Sequence, residues 1–237
     1  MQGLIVAAGQ GLRLRSISPS KPLAMVGGAT LIERVIETAA SAGVDRFVVV
    51  TGYEAERLTA FLTAVAARLS LEIEAVFNPD WRAANGVSVA AAEARLDDRF
   101  LLMMADHLLD ASIIADLAAR QADPDEVVLA IDRRLDNPLV DLDDVTRVRT
   151  DPQGRILAIG KLMADYDAFD CGLFLASKAL IAAIRDDLAD GGKGGISEGM
   201  TGLARAGKAL TFDIGDRFWL DVDDAVAYDQ AEQFTAP

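Results

Sequence analysis

The chain has 237 residues, of which 51% are hydrophobic, and its 37 acidic and 23 basic side chains give a net charge of −14. This charge repels nucleic acids and anionic membranes, so we expect neither as a partner. The single cysteine and single histidine exclude a disulfide framework and a zinc site with several Cys or His ligands. No apolar run is long enough to span a bilayer and the first strand lacks signal-peptide flanks, which predicts a cytoplasmic protein.

Apolar runs rich in Val, Ile and Leu alternate with amphipathic segments in the first half of the chain. The pattern predicts strands at 3–8, 46–52, 71–78 and 99–106 and helices at 30–43, 54–69, 87–96 and 112–121. Thr30 and Glu33 have the spacing of a capping box, and Gly43 stands where that helix should end. Continuous apolar strands indicate burial on both faces, and therefore a mainly parallel sheet between layers of helices.

From about residue 127 the pattern changes to short strands with few helices between them. The predicted strands are 127–132, 146–150, 155–160 and 171–176, and the predicted helices are 179–188, 197–207 and 224–234. We expect these strands to form a smaller antiparallel lobe that lies over the parallel sheet. The chain contains no repeat and no clear linker, which predicts a single α/β domain over residues 1–237.

The turn after the first strand combines bare backbone with positive charge. It reads "LIVAAGQGLRLRSISPSKPL" over residues 4–23 and contains Gly9, Gly11, Arg13 and Lys21. Exposed backbone N–H groups in glycine-rich turns bind phosphate oxygens. The turn lacks the Walker motif, and Leu14 occupies the third glycine position of the dinucleotide fingerprint, which disfavours a dehydrogenase.

Carboxylates follow two later strands. Asp106 ends the buried run "LLMMAD", and Asp221 and Asp223 alternate in "FWLDVDD", so both should point to one face. Ligands of such sheets bind at the carboxyl ends of strands, and Mg²⁺ prefers carboxylates together with phosphates and water. We therefore predict Asp106, Asp221 and Asp223 as Mg²⁺ ligands, with helix capping as the alternative for Asp223 or Asp224. His107 either orients a substrate or satisfies a local hydrogen bond.

An amide, a small residue and a hydroxyl lie together at the mouth of a predicted helix. These are Asn85, Gly86 and Ser88 in "FNPDWRAANGVSVAAA" (77–92). Such a group is able to hydrogen-bond the edge of a pyrimidine, and glycine permits its close approach. The alternative is helix capping by Asn85 or Ser88.

The segment "AAGQGLRL", followed by "KPL", resembles the signature of sugar-phosphate nucleotidyltransferases, L-A-A-G-x-G-x-R-L…K-P. The resemblance implies a Rossmann-like (GT-A-like) fold and a nucleoside triphosphate lying on the first turn. Arg13 would neutralise the β- and γ-phosphates, and Lys21 would lie near the α-phosphate. The nucleotide-binding residues it implies in that turn are Ala7, Ala8, Gly9 and Gly11.

The segment "VDLDDVTRVRTDPQGRILAIGKLMADYDAFDCGLFLAS" (140–177) resembles CTP:inositol-1-phosphate cytidylyltransferases, in which we expect V-D-[IL]-D-[ED]-x-T-[KR]-V, then I-G-K, then D-x-G-x-F. The likeness extends over essentially the whole chain. It implies that Lys161 grips the phosphate of the acceptor and that Asp170 and Gly172 bind acceptor or ribose hydroxyls. Cys171 stands where a threonine is expected. Asp141, Asp143 and Asp144 are candidates to meet polyol hydroxyls of the acceptor, but an acidic run is more often a solvated loop.

The implied reaction transfers a cytidylyl group from CTP to a polyol phosphate, foremost inositol 1-phosphate, and gives CDP-inositol and pyrophosphate with Mg²⁺. A phosphate acceptor is already anionic, so no general base is needed. Known bifunctional members carry a membrane-embedded phosphotransferase domain. Residues 1–237 contain none, so we expect a stand-alone enzyme. A homodimer is a further possibility that the sequence leaves open.

Two alternatives remain. A related nucleotidyltransferase for phosphocholine, an aminoalkyl phosphonate or a sugar 1-phosphate needs the same first turn and the same aspartates. "NPDW" is also similar to molybdopterin cytidylyltransferases, although the 140–177 segment is not. A catalytically silent nucleotide-sensing module is the other alternative. It is disfavoured because Arg13, Lys21, Asp106 and Asp221 are intact.

Overall fold

The structure is a computed structural model, and it describes residues 1–235. Over these residues the chain forms thirteen strands and seven α-helices. The strands are β1 (Gln2–Ala7), β2 (Met25–Val26), β3 (Ala29–Thr30), β4 (Arg46–Thr51), β5 (Glu72–Phe77), β6 (Arg99–Met104), β7 (His107–Leu109), β8 (Val127–Asp132), β9 (Arg147–Thr150), β10 (Ile156–Gly160), β11 (Ala168–Ser177), β12 (Ala209–Asp213) and β13 (Trp219–Asp221). The helices are α1 (Leu31–Ser41), α2 (Ala55–Leu69), α3 (Asn85–Ala91), α4 (Ala111–Ala118), α5 (Lys178–Ala189), α6 (Ile196–Arg205) and α7 (Ala225–Thr235).

Nine strands form one mixed sheet in the order β10-β9-β11-β6-β1-β4-β5, with β8 paired to β11 and β12 paired to β8. β1 lies parallel between β4 and β6, and β5 continues the parallel part beyond β4. The predicted mixed sheet with flanking helices is confirmed. The carboxyl ends of β1, β4 and β6 therefore meet at one edge, where doubly wound folds bind their ligands.

The antiparallel strands extend the same sheet, whereas the sequence pattern predicted a lobe lying over it. β11 is ten residues long and almost wholly buried, so one end pairs with β6 while the other reaches β9. Its register against β8 shifts between Asp170 and Phe174. Gly172 lies within this irregularity at φ +72°, a left-handed conformation that favours glycine.

Helices cover both faces of the sheet, which explains the continuous apolar strands. Ile5 and Val49 point to a core shared with α1, α2 and α4, whereas Leu4 and Val48 point to a core shared with α3, α5 and α6. α1 begins with the predicted capping box between Thr30 and Glu33. The predicted helix 87–96 is shorter, because α3 gives way to a 3-10 turn at Glu93–Arg95. No helix within residues 1–235 combines the length and the apolar character needed to cross a membrane.

A third, smaller core joins the two ends of the chain. Leu14 from the first turn packs with Leu220 and Val222 from the C-terminal part. β13 pairs antiparallel with β7 and sets Asp221 opposite His107. The strands β2, β3, β7 and β12 were not predicted from the sequence pattern, whereas β13 matches the strand end expected at Asp221. Through this packing, residues more than 200 positions apart come to the carboxyl end of β1.

Candidate active site

A cavity of about 640 Å³ opens at the carboxyl ends of β1 and β6. It contains both the predicted cations and the predicted carboxylates. Three cations, Arg13, Lys21 and Lys161, line it together with eight aspartates from distant parts of the chain, namely Asp106, Asp141, Asp143, Asp144, Asp170, Asp221, Asp223 and Asp224.

The first turn is shaped by its two glycines. Gly11 has φ +62°, and a Cβ added there would overlap the side chain of Lys21. A Cβ added at Gly9 would meet no atom within 4 Å, so the main chain at Gly9 faces open space. Ala7 and Ala8 are buried at the end of β1. Gly11 therefore lets the chain wrap around Lys21, while Gly9 leaves room above the backbone.

Lys21 is buried among three carboxylates. Only 7% of the residue is exposed. Its Nζ lies 2.5 Å from Asp106 Oδ2 and 3.9 Å from Asp221 Oδ1, and it also donates a hydrogen bond to Asp223. Asp106, Asp221 and Asp223 thus converge on one ammonium group, although they come from the ends of β6 and β13.

Asp224, and not Asp223, caps helix α7. Asp224 Oδ1 accepts a hydrogen bond of 2.8 Å from Ala227 N in the first turn of α7. Asp223 instead forms ion pairs with Arg13 and Lys21. Its carboxylate therefore faces the cavity.

His107 makes a local hydrogen bond. Its Nδ1 lies 2.8 Å from Asp106 Oδ1 and 3.6 Å from Asp221 Oδ1. Burial alone would lower the pKa of His107, but the charge of Asp221 and the hydrogen bond to Asp106 raise it to about 9. The ring stacks on Trp219, with 6.4 Å between the ring centroids, and a Cβ at Gly172 would overlap it. A protonated His107 thus holds two of the predicted ligand carboxylates.

The carboxylates fit a hard divalent cation. Oxygen and nitrogen atoms of Asp106, His107 and Asp221 lie within 4.8 Å of one another, as do those of Asp144, Asp221 and Asp223. Asp221 Oδ1 is a buried atom without a hydrogen-bond partner within residues 1–235. Burial raises the pKa of Asp221, whereas Lys21 and the hydrogen bond from His107 outweigh burial at Asp106 and lower its pKa. A cation bound at these oxygens would give Asp221 Oδ1 the close partner that it lacks, since its contacts with Lys21 and His107 are at 3.9 and 3.6 Å.

Asp144 links the two sides of the cavity, and sequence analysis did not single it out. Its Oδ2 is 2.7 Å from Arg13 Nη2 and its Oδ1 is 2.5 Å from Lys161 Nζ. Burial raises the pKa of Asp144, but the hydrogen bond and charge of Lys161 and the charge of Arg13 outweigh burial. The pKa of Asp144 is therefore lower than that of an ordinary aspartate. The contact with Arg13 spans 131 positions of the sequence, so no local pattern could have revealed it.

The predicted acceptor residues Lys161, Asp170 and Gly172 line the same cavity as Lys21. Lys161 follows the end of β10 and its side chain is 54% exposed. Asp170 Oδ1 accepts a hydrogen bond of 2.7 Å from Gly172 N within the irregularity of β11. Burial raises the pKa of Asp170 to about 6, although the Gly172 N–H opposes the shift.

Of the helix-mouth group, Asn85 lines the cavity, and Gly86 and Ser88 are packed behind it. Asn85 Oδ1 accepts a hydrogen bond of 2.9 Å from Ile196 N, at the start of α6. A Cβ on Gly86 would overlap the carbonyl of Gly194. Ser88 Oγ is bonded to the Asn78 amide at 3.0 Å in the interior. These contacts fix α3 against α6, so Gly86 and Ser88 lie where they support Asn85.

The sequence matches known proteins over most of its length. Residues 3–198 match the family described as the MobA-like NTP transferase domain. The chain is 35% identical over 223 residues to the "Bifunctional IPC transferase and DIPP synthase" of Rubrobacter xylanophilus. The aligned region covers 92% of this chain and 48% of that protein. It is 27% identical to the protein of the same name from Aquifex aeolicus, over 98% of this chain and 51% of that one. The chain thus spans about half the length of these curated relatives.

The fold matches solved structures. The structure entitled inositol-1-phosphate CTP transferase from T. maritima superposes with a TM-score of 0.84 at 22% identity, covering 98% of this chain and 95% of that one. At this identity the match establishes the shared fold.

Proposed function

Because the chain belongs to the MobA-like NTP transferase family, we propose that it transfers a cytidylyl group from CTP to inositol 1-phosphate. The products are CDP-inositol and pyrophosphate. The choice of nucleotide and acceptor is supported by the names of the relatives and of the structural neighbour, which include IPC transferase and inositol-1-phosphate CTP transferase. It is also supported by the resemblance of residues 140–177.

One observation carries the proposal. Three cations, Arg13, Lys21 and Lys161, line a single cavity together with the carboxylates of Asp106 and Asp221. A protein with a net charge of −14 concentrates these cations at one place. Joining a nucleotide triphosphate to a phosphate monoester brings several anionic groups together, and these three cations are side chains of an otherwise acidic cavity that are able to pair with them.

On the nucleotide side, we assign the triphosphate to the first turn. Gly9 and Gly11 form its backbone bed, Arg13 binds the β- and γ-phosphates, and Lys21 binds the α-phosphate. Ala7, Ala8 and Asn85 border the base and ribose. Gly86 and Ser88 belong to the same nucleotide-binding group and support Asn85 from behind. Because Lys21 is held by three carboxylates, it is already in place before the substrate arrives, and a preorganised charge stabilises the transition state without rearrangement.

We assign Mg²⁺ to Asp106, Asp221 and Asp223. The assignment is supported by Asp221, which lies close to Asp106 in one acidic group and to Asp223 in another, and whose Oδ1 has no hydrogen-bond partner within residues 1–235. When bound, Mg²⁺ neutralises charge on the nucleotide phosphates and helps to orient them. His107 holds Asp106 in position through its 2.8 Å hydrogen bond.

On the acceptor side, Lys161 binds the phosphate monoester and Asp170 with the Gly172 backbone binds the hydroxyls. An oxygen of the acceptor phosphate attacks the α-phosphorus of CTP, a new P–O bond forms, and the bond to the β-phosphate oxygen breaks to release pyrophosphate. The attacking oxygen is already anionic, so alignment and charge neutralisation are sufficient. This agrees with a site whose single histidine is engaged with Asp106 and Asp221.

The proposal is tested by incubating the protein with Mg²⁺, each of the four nucleoside triphosphates in turn and inositol 1-phosphate. Phosphocholine, an aminoalkyl phosphonate and glucose 1-phosphate serve as competing acceptors. We expect pyrophosphate release with CTP and inositol 1-phosphate and a product with the mass of CDP-inositol. Release only with another acceptor would reassign the substrate, and tight CTP binding without release in any mixture would favour the sensing module.

A further inference from the structure

Asp144 lies between two cations that the proposed function assigns to different substrates. Arg13 Nη2 is 2.7 Å from one of its carboxylate oxygens, and Lys161 Nζ is 2.5 Å from the other. The side chains of both cations are about half exposed, at 47% and 54%. A single carboxylate therefore occupies the positions where two different phosphates would bind.

The backbone around Asp144 is fixed. The amides of Asp144 and Val145 donate to the carbonyl of Asp141, at 3.2 and 2.9 Å. Arg147 donates to the carbonyls of Leu142 and Met163, both at 2.9 Å, and so ties the Asp144 loop to the segment that follows Lys161. The loop that carries Asp144 is thus fixed relative to the segment that carries Lys161.

Carboxylate and phosphate oxygens compete for the same donors of arginine and lysine. A phosphate that reaches Arg13 places its negative charge next to Asp144, and like charges at this distance repel each other. Both bonds of the bridge are made by one rigid carboxylate group. A substrate that displaces the group from one cation therefore also loosens it from the other.

We propose that Asp144 is a positioning residue that couples the two substrate sites, so that binding of the nucleotide frees Lys161 for the acceptor phosphate. The inference rests on the proposed roles of Arg13 and Lys161. Coupling of this kind is reciprocal, so the acceptor equally frees Arg13 for the triphosphate. Asp144 then favours the state in which both substrates are bound over either state with only one.

Calorimetric titration tests the coupling without turnover. The full chain is titrated with inositol 1-phosphate in Mg²⁺, with and without a CTP analogue that has a methylene group between the α- and β-phosphorus. We expect the wild-type protein to bind inositol 1-phosphate roughly tenfold more tightly when the analogue is present. In Asp144→Asn, inositol 1-phosphate should bind without the analogue nearly as tightly as it binds to the wild-type protein with the analogue. The ratio of the two dissociation constants, without and with the analogue, should therefore fall to about one.

Asp165→Asn is the matched control. It removes the same charge from an exposed carboxylate that pairs with Arg149 and does not line the cavity, so it should keep the wild-type ratio. Asp144→Ser removes the same carboxylate and replaces Asp144→Asn in the comparison if the latter loses its thermal unfolding transition.

The direction of the change distinguishes coupling from a merely structural role. If Asp144→Asn weakens binding of inositol 1-phosphate, or keeps the tenfold ratio, the coupling inference is wrong while the proposed function stands. If the wild-type protein binds neither the analogue nor inositol 1-phosphate, the proposed function fails and takes this inference with it.

Discussion

The turn after β1 and the turn after β10 each bring a lysine to the cavity, but in different environments. Lys21 is 7% exposed and lies among three carboxylates, whereas the Lys161 side chain is 54% exposed and pairs with Asp144. A buried and multiply paired ammonium has one position, and an exposed one is free to follow its partner. The difference indicates a fixed charge at the reacting phosphate and an adjustable charge where the second substrate enters.

Removing the fixed charge should have the largest effect. Lys21→Ala removes the group assigned to the α-phosphate, and we expect turnover to fall by about 10²–10³. Initial rates of pyrophosphate release measure this. Arg15→Ala, which removes an exposed cation from the same turn, should keep the wild-type rate. Comparable rates in Lys21→Ala and Arg15→Ala would refute the role of Lys21.

Removing the charge of a carboxylate that pairs with Lys21 should slow turnover by weakening the Mg²⁺ site. Asp106→Asn keeps the shape of the side chain but loses its charge, and we expect about 10²-fold slower turnover together with a weaker response to Mg²⁺. A Mg²⁺ titration of the rate measures this. Asp98→Asn, at a position that is almost fully exposed, serves as control. An unchanged Mg²⁺ response in Asp106→Asn would place the metal elsewhere.

Removing the adjustable charge should affect one substrate more than the other. Lys161→Ala should raise the KM for inositol 1-phosphate by about tenfold or more and leave the KM for CTP within a factor of two or so, since a lost charged hydrogen bond costs about 1.5–3 kcal/mol. Lys178→Ala is the control, because it also removes a half-exposed lysine that pairs with one aspartate, Asp98. It should change neither KM value. Equal increases in both KM values would contradict a dedicated acceptor role.

The acceptor side also predicts a dependence of stability on pH. Burial raises the pKa of Asp170 to about 6, so the folded protein retains a proton that the unfolded chain loses above about pH 4. Stability from this group is therefore present at low pH and declines between about pH 4 and 6. Asp170→Asn keeps an oxygen for the Gly172 amide and should stabilise the fold by about 1–3 kcal/mol above pH 6, with little change below pH 4.

Urea unfolding of wild type and Asp170→Asn between pH 4 and 8 measures this difference. The gap between the two curves should open as the pH rises. A gap that stays constant or closes would mean that Asp170 is not held in its protonated form by burial.

The two regions also differ in how far the sequence could predict them. The first turn is a contiguous motif at the end of a buried strand, and Asp106 directly follows another strand, so local patterns placed both at the same edge of the sheet. Asp221 was likewise expected at a strand end, and it ends β13 close to Lys21.

The acceptor side depends on contacts that are distant in sequence. Asp144 meets Arg13 across 131 positions, and its acidic neighbours made it look like part of a solvated loop. β11 joins the edge of the parallel sheet because its length allows two pairings, which composition does not reveal. Asn85 bonds Ile196 N beside the cavity while Ser88 bonds Asn78 in the interior, and both partners are set by the packing of α3, which local spacing does not reveal.

A crystal structure of the protein with CDP-inositol and Mg²⁺ tests the central claim most directly. We expect the diphosphate of the product to lie between Lys21 and Lys161, with the ion held by Asp106 and Asp221. A diphosphate bound away from residues 9–21, or an ion held without either aspartate, would contradict the account.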